Sequence, residues 1–140
     1  YNWYAVDDAC GLCPDGWRVP SDNDYKTLEI YLGMDPTEAD GEGWRGTDQG
    51  SQLADGYDLW TNGTLRNNSQ FGTSDFMALP AGLRDEDGFY VDMSSIIFFW
   101  TSSEQSSVQA WQRALYYANS GLGRDNYSKI FGLSVRCIRE

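Results

Sequence analysis

Apolar residues recur three and four apart most clearly in one stretch of the chain, where Tyr25, Leu28 and Leu32 fall on one helical face. Ser21 precedes them with Asp24 three residues on, which approximates a capping box, and Gly33 suits the left-handed position that ends a helix. The spacing therefore predicts a helix between Ser21 and Gly33. A second helical start is Asp35-Pro36-Thr37-Glu38, interrupted by Gly41 and Gly43. Alternation of aromatic or apolar with polar residues predicts a strand over Tyr1 to Val6 and a short one over Trp17 to Val19. From Gly43 to about Asp75 the chain is rich in Gly, Asn, Ser and Asp, with scattered Trp44, Leu53, Trp60 and Phe71, and reads as long ordered loops pinned by aromatics. Short strands follow at Phe76 to Leu79, Phe89 to Val91, Ile96 to Thr101, Ala110 to Tyr117 and Leu133 to Ile138. Turn clusters separate them at Asp85 to Gly88, Ser102 to Ser107, Asn119 to Gly123 and Asp125 to Ser128. The order, helix first and antiparallel strands afterwards, is that of an α+β fold, and with no repeat or linker it predicts one domain over residues 1–140.

Composition adds a core to this pattern and removes several functions. Apolar residues make up 41% of the 140, aromatics 15%, with six Trp, enough large side chains for one hydrophobic core. The longest apolar run, Ile96 to Trp100, is far too short to insert into a membrane as a helix. Net charge is −11, from 21 acidic and 10 basic residues. The averaged field repels a phosphate backbone, so no nucleic-acid partner is expected. There is no histidine, which removes Ser-His-Asp and Cys-His nucleophile activation and every His-containing metal site. Cys10 and Cys13 have C-x-x-C spacing, but Cys137 alone cannot complete a four-thiolate zinc site, and Pro14 and Gly16 read as a turn rather than the opening of a redox helix. Neither acidic run, Asp35 to Asp48 or Asp85 to Asp87, has the alternating spacing of an EF-hand loop. No metal or cofactor is expected.

The string from Gly11 through Cys13-Pro-Asp-Gly-Trp-Arg-Val-Pro20 to Tyr25 resembles the Fibrobacter succinogenes major paralogous domain family. The resemblance continues, in order, through Tyr1 to Val6, Gly43-Trp-Arg-Gly-Thr-Asp-Gln-Gly-Ser51, Phe76-Met-Ala-Leu-Pro-Ala-Gly-Leu-Arg84, Phe99-Trp-Thr-Ser-Ser-Glu104, Ala110-Trp-Gln-Arg-Ala-Leu115 and Gly132-Leu-Ser-Val-Arg-Cys137. It implies a C-type-lectin-like fold related to that of formylglycine-generating enzymes, with two helices, a twisted antiparallel sheet, long loops and close termini. It also implies an extracellular or cell-surface, prokaryotic setting, and similar domains serve as variable proteins of diversity-generating retroelements. The resemblance pairs Cys13 with Cys137 and leaves Cys10 without a partner. A Cys10–Cys13 bridge is the rival, and free thiols throughout a third arrangement.

The candidate chemistry is that of a binding surface. In Ala110 to Tyr117 the period of two separates Trp111, Arg113 and Leu115, which the resemblance marks as scaffold, from Gln112, Ala114 and Tyr116, which are then expected to face solvent. Arg113 is expected to be satisfied by a buried carboxylate or carbonyls. Gln105, Gln109, Asp125, Asn126 and Tyr127 lie where relatives of the family vary, and with Asn119 their side chains suit adaptable hydrogen bonding and rigid aromatic contact. These nine residues are the expected ligand-binding set, with a protein or glycan as partner; the alternative is a structural module with no ligand of its own. Trp44, Trp60 and Trp100 are candidates for a sugar platform or, alternatively, for core pins. No enzyme is expected. The chain has only Cys137 in its second half, whereas formylglycine-generating enzymes use a cysteine pair, and 21 acidic residues supply chance carboxylate pairs for a glycosidase reading.

Overall fold

Strands β2 (Gly43–Arg45), β5 (Ile96–Glu104), β6 (Gln109–Tyr116) and β7 (Asn119–Ser128) form the main sheet in the order β2-β7-β6-β5, all antiparallel. The computed structural model describes all of residues 1–140. Two-stranded ribbons flank the sheet, one of β1 (Trp17–Arg18) with β8 (Ile138–Arg139), the other of β3 (Leu83–Arg84) with β4 (Tyr90–Val91). The chain is thus α+β with few helices: α2 (Asp22–Tyr31) has ten residues, while α1 (Trp3–Val6), α3 (Pro36–Ala39), α4 (Gln49–Leu53) and α5 (Thr64–Asn67) are single turns.

Local chemistry explains the helices. Ser21 and Asp24 form the full capping box of α2, each side chain bonding the other's backbone N–H. Asp35 caps α3 with Pro36 in its first turn. Tyr1 to Val6, expected as a strand, instead contains α1. The Asn2 side chain accepts from the Ala5 N–H, and the buried Trp3 indole donates to the Thr101 carbonyl at 2.8 Å, so a long-range anchor overrides the alternating pattern. The expected loops between Gly43 and Asp75 hold β2, α4, a 3₁₀ turn at Tyr57–Leu59 and α5. The expected turns at Asn119 to Gly123 and Asp125 to Ser128 are one ten-residue strand, β7, between β2 and β6. Its glycines meet other backbones: a β-carbon on Gly121 would lie 2.6 Å from the Arg45 carbonyl oxygen, and one on Gly50 of α4 would lie 2.1 Å from that of Gly121.

Residues paired across antiparallel strands share a face. Ile97, Phe99, Leu115 and Leu122 face a cluster with Tyr25, Met34, Leu53, Trp60 and Leu65. Phe98, Trp100, Ala110 and Ala114 face a second cluster with Trp3, Leu83 and Leu133. The sheet is therefore covered on both faces, which corrects the expectation for β6. Gln112 and Ala114 are 2% and 4% exposed, not solvent-facing. Tyr127 also packs inward, its ring 5.3 Å from that of Phe98 and 5.0 Å from that of Phe131.

Beneath the first face lies a network of buried charge. Glu29 accepts from Arg45 Nη1 and Nη2 at 2.8 and 3.0 Å and from Arg113 Nε. Asp22 accepts from Arg113 Nη1 at 2.8 Å and from Arg124 Nε and Nη2 at 2.9 and 2.8 Å. Arg113 is fully buried and held by carboxylates, as the resemblance that marks it as scaffold led one to expect. Arg124 lies over the Trp111 ring at 3.9 Å.

Burial raises the pKa of Asp22, but the hydrogen bonds and charges of Arg124 and Arg113 outweigh it and hold the carboxyl well below the usual carboxylate range. The bidentate Arg18 bond does the same for Asp24. Because both folded-state values are depressed, the stability these groups contribute is intact above the ordinary carboxylate pKa of about 4 and is lost as pH falls through the folded-state values. Urea midpoints measured from pH 6 down to pH 2 are expected to hold steady to about pH 4 and then fall steeply. A flat profile to pH 2 would contradict the ionised network.

The chain ends meet. The Tyr1 ammonium donates to the Leu133 carbonyl at 2.8 Å, and Cys13 and Cys137 form a disulfide with Cα atoms 5.9 Å apart. Cys10 is an exposed free thiol, so the vicinal bridge is not formed.

Candidate functional site

The nine residues expected to bind ligand do not converge. β6 runs from Gln109 to Tyr116, a span of about 24 Å at the usual rise per residue, and the candidates divide between its ends. Near the first end are exposed Gln105 and Asp125, half-buried Gln109, and half-buried Asn126 opposite Trp111. The Gln105 N–H donates to the Gln109 carbonyl at 3.0 Å, closing the β5–β6 hairpin, and the Asp125 carboxylate accepts from the Asn126 N–H at 2.8 Å. At the other end Tyr116 stands opposite Asn119, whose side-chain oxygen accepts from the Gly121 N–H at 2.8 Å and steadies the β6–β7 hairpin. Gln112 and Ala114 belong to the interior between the ends, and half-buried Tyr127, opposite Ala110 at the first end, packs against the second cluster.

The Tyr116 end carries an aromatic ledge. Trp44 of β2 pairs with Gly123 of β7, which pairs with Ala114 of β6. The missing side chain at Gly123 lets the indole lie over the sheet: a β-carbon there would stand 3.3 Å from the Trp44 ring and 3.1 Å from the Ala114 β-carbon. The Trp44 and Tyr116 rings are 6.1 Å apart at 35°, and Tyr116 meets Tyr117 edge-on at 4.7 Å. Trp44 remains 45% exposed. The Tyr117 hydroxyl beside it raises the Tyr116 pKa further above the ordinary phenol value, at which the group is already neutral at physiological pH. Such a surface can stack on a flat apolar face and hydrogen-bond its edge.

Of the three tryptophans considered for a platform, Trp60 and Trp100 are 2% and 0% exposed and serve the core, with indole N–H bonds to the Asp55 and Tyr1 carbonyls. Only Trp44 presents a face. Tyr117 was not among the expected ligand residues, because the period of two sets it with Trp111, Arg113 and Leu115; it does pack against the first cluster, and its ring also meets that of Tyr116. The acidic runs serve local structure: Asp35 caps α3, Glu38 accepts from the Gly46 N–H at 2.8 Å, Asp40 pairs with Lys26 at 2.7 Å, and Asp85 accepts from the Phe89 N–H at 2.8 Å.

A sheet covered on both faces, ends tied by a disulfide and an aromatic ledge at one hairpin define a disulfide-closed α+β fold with an exposed aromatic ledge. The chain belongs to the Fibrobacter succinogenes major domain family, whose model matches residues 1–139. No curated protein and no solved structure matched the chain.

Proposed function

We propose that this is a non-catalytic binding domain of a secreted or cell-surface protein, with a C-type-lectin-like fold, which offers its aromatic ledge to a protein or glycan. The observation that carries the reading is Trp44, a large side chain seated on a glycine and left half exposed beside Tyr116. Trp and Tyr are the residues that dominate binding hot spots, because they bring large contact area with little rotamer freedom to lose. A non-catalytic role is supported by the carboxylates: the two most deeply buried, Asp22 and Glu29, are saturated by guanidinium groups and so are poorly placed to move a proton. The same reading extends to a retroelement-diversified display protein, since exposed Gln105 and Asp125 and half-buried Tyr116, Asn119 and Asn126 all come from β5 to β7 and their hairpins.

The test is a glycan and surface-protein array followed by the double variant Trp44→Ala/Tyr116→Ala. Capture of the array hit is expected to weaken at least about tenfold, as for loss of a hot-spot pair, with a melting temperature close to that of the parent. Undiminished capture would remove the ledge from the binding surface, and an array without hits would favour a structural module.

A further inference from the structure

A second site lies away from the ledge. A cleft of about 620 Å³ opens between α2, which contributes Tyr25, Leu28 and Tyr31, and the β1–β8 ribbon, which contributes Trp17 and Ile138. Phe76 forms part of its wall. A recess of about 840 Å³ continues from it past Leu28, Tyr31 and Phe76. The first volume lies within the range of small-molecule sites, and the walls are apolar and aromatic as such sites require.

Its charge runs against that of the chain. In a protein of net charge −11, Arg136 and Arg139 both line the cleft, and neither takes part in any of the ion pairs. Arg136 donates through Nη2 to the Phe76 carbonyl and lies over the Phe76 ring at 4.7 Å, a seat that fixes the guanidinium and leaves the rest of its fork uncommitted. Arg139 is exposed on the ribbon opposite Trp17. The one carboxylate in the cleft, Asp24, is already bound by Arg18 through two bonds of 2.6 and 2.9 Å. Asp75 lines only the recess.

The Tyr25 side chain lines the cleft at 3% exposure, and its hydroxyl is sealed from solvent without a hydrogen-bond partner, so a ligand in the cleft meets the rest of the side chain and not the hydroxyl. Burial raises the pKa of this phenol, opposed first by the charge of Arg113 and then by that of Arg136, so the hydroxyl stays neutral.

We propose that this cleft binds a small organic carboxylate with an apolar body, an alkyl or aryl acid, its tail against Trp17, Leu28, Tyr31 and Ile138 and its carboxylate on Arg136 and Arg139. Planar guanidinium groups match carboxylate geometry, and an apolar wall lowers the competition from water. This site is independent of the ledge, so failure at one leaves the other untouched.

The experiment titrates decanoate into the intact protein, with decan-1-ol as the uncharged control, and follows backbone and indole N–H signals by NMR. Expected are saturable shifts at the Trp17 indole and along α2, with decanol binding about tenfold more weakly because it lacks the charged partner. Arg139→Gln, which breaks no hydrogen bond in the protein, is expected to weaken decanoate binding about tenfold and leave decanol unchanged. Thr27→Trp, at an exposed position lining the cleft, is expected to block both probes while the fold persists. No saturable binding, equal affinity for the two probes, indifference to Arg139→Gln, or shifts confined to Trp44 and Tyr116 would each overturn the proposal.

Discussion

Replacing Glu29 with alanine is expected to remove about 3–5 kcal/mol of stability, the range for breaking a buried ion pair by deleting one partner. Glu29 is fully buried and neutralises two guanidinium groups at once, those of Arg45 and Arg113. Arg113 keeps Asp22 as a second carboxylate, whereas Arg45 retains only the Ala39 carbonyl and a Met34 sulfur contact. The larger share of the loss therefore falls on Arg45, a 4% exposed cation with no remaining counter-charge. Against a total of about 5–15 kcal/mol for a domain, such a loss takes a large share of the stability. Glu29→Gln keeps the shape and separates charge from packing; it is expected to lose most of the same stability. Chemical denaturation at pH 7 measures both, and a loss under about 1 kcal/mol for the alanine variant would mean the network is solvated and weak.

Reducing the Cys13–Cys137 bond, or replacing both cysteines with serine, is expected to cost about 2–5 kcal/mol and to lower the melting temperature by about 10 °C. The bond joins positions 124 residues apart, so its removal restores a large conformational freedom to the unfolded chain. It also secures a ribbon that has little else: β1 and β8 share only the pairs Trp17–Arg139 and Arg18–Ile138. Cys10→Ser is the control, since Cys10 is exposed and unbonded, and should melt with the parent. If the cysteine-free protein melted within a degree or two of the parent, the close ends would have to be held by packing alone.

What the sequence made legible was local. The capping box of α2 and the Asp35-Pro36 start of α3 are short-range chemistry, and both formed where the spacing put them. β7 was hidden because its Gly121 and Gly123 look like turn residues, yet they are there so that α4 and the Trp44 indole can approach the strand. α1 was hidden because its decisive contact, Trp3 to Thr101, spans 98 residues. The same limit applied to the candidate site. Alternation in β6 shows that two faces exist, but a strand buried on both has no solvent face to identify, so Gln112 and Ala114 could not be told from surface residues. Arg113 was recognisable as a buried charge, while its partners Glu29 and Asp22 lie 84 and 91 residues away.

The covalent link near both ends has a mechanical consequence. A pull applied at residues 1 and 140 would travel through the Cys13–Cys137 bond rather than along the chain between them. Only the twelve residues before Cys13 and the three after Cys137 could be drawn out, to about 50 Å at full extension. The sheet, the charge network and the ledge all lie within the protected loop, so shear that peels α1 from Thr101 cannot pull them out into extended chain.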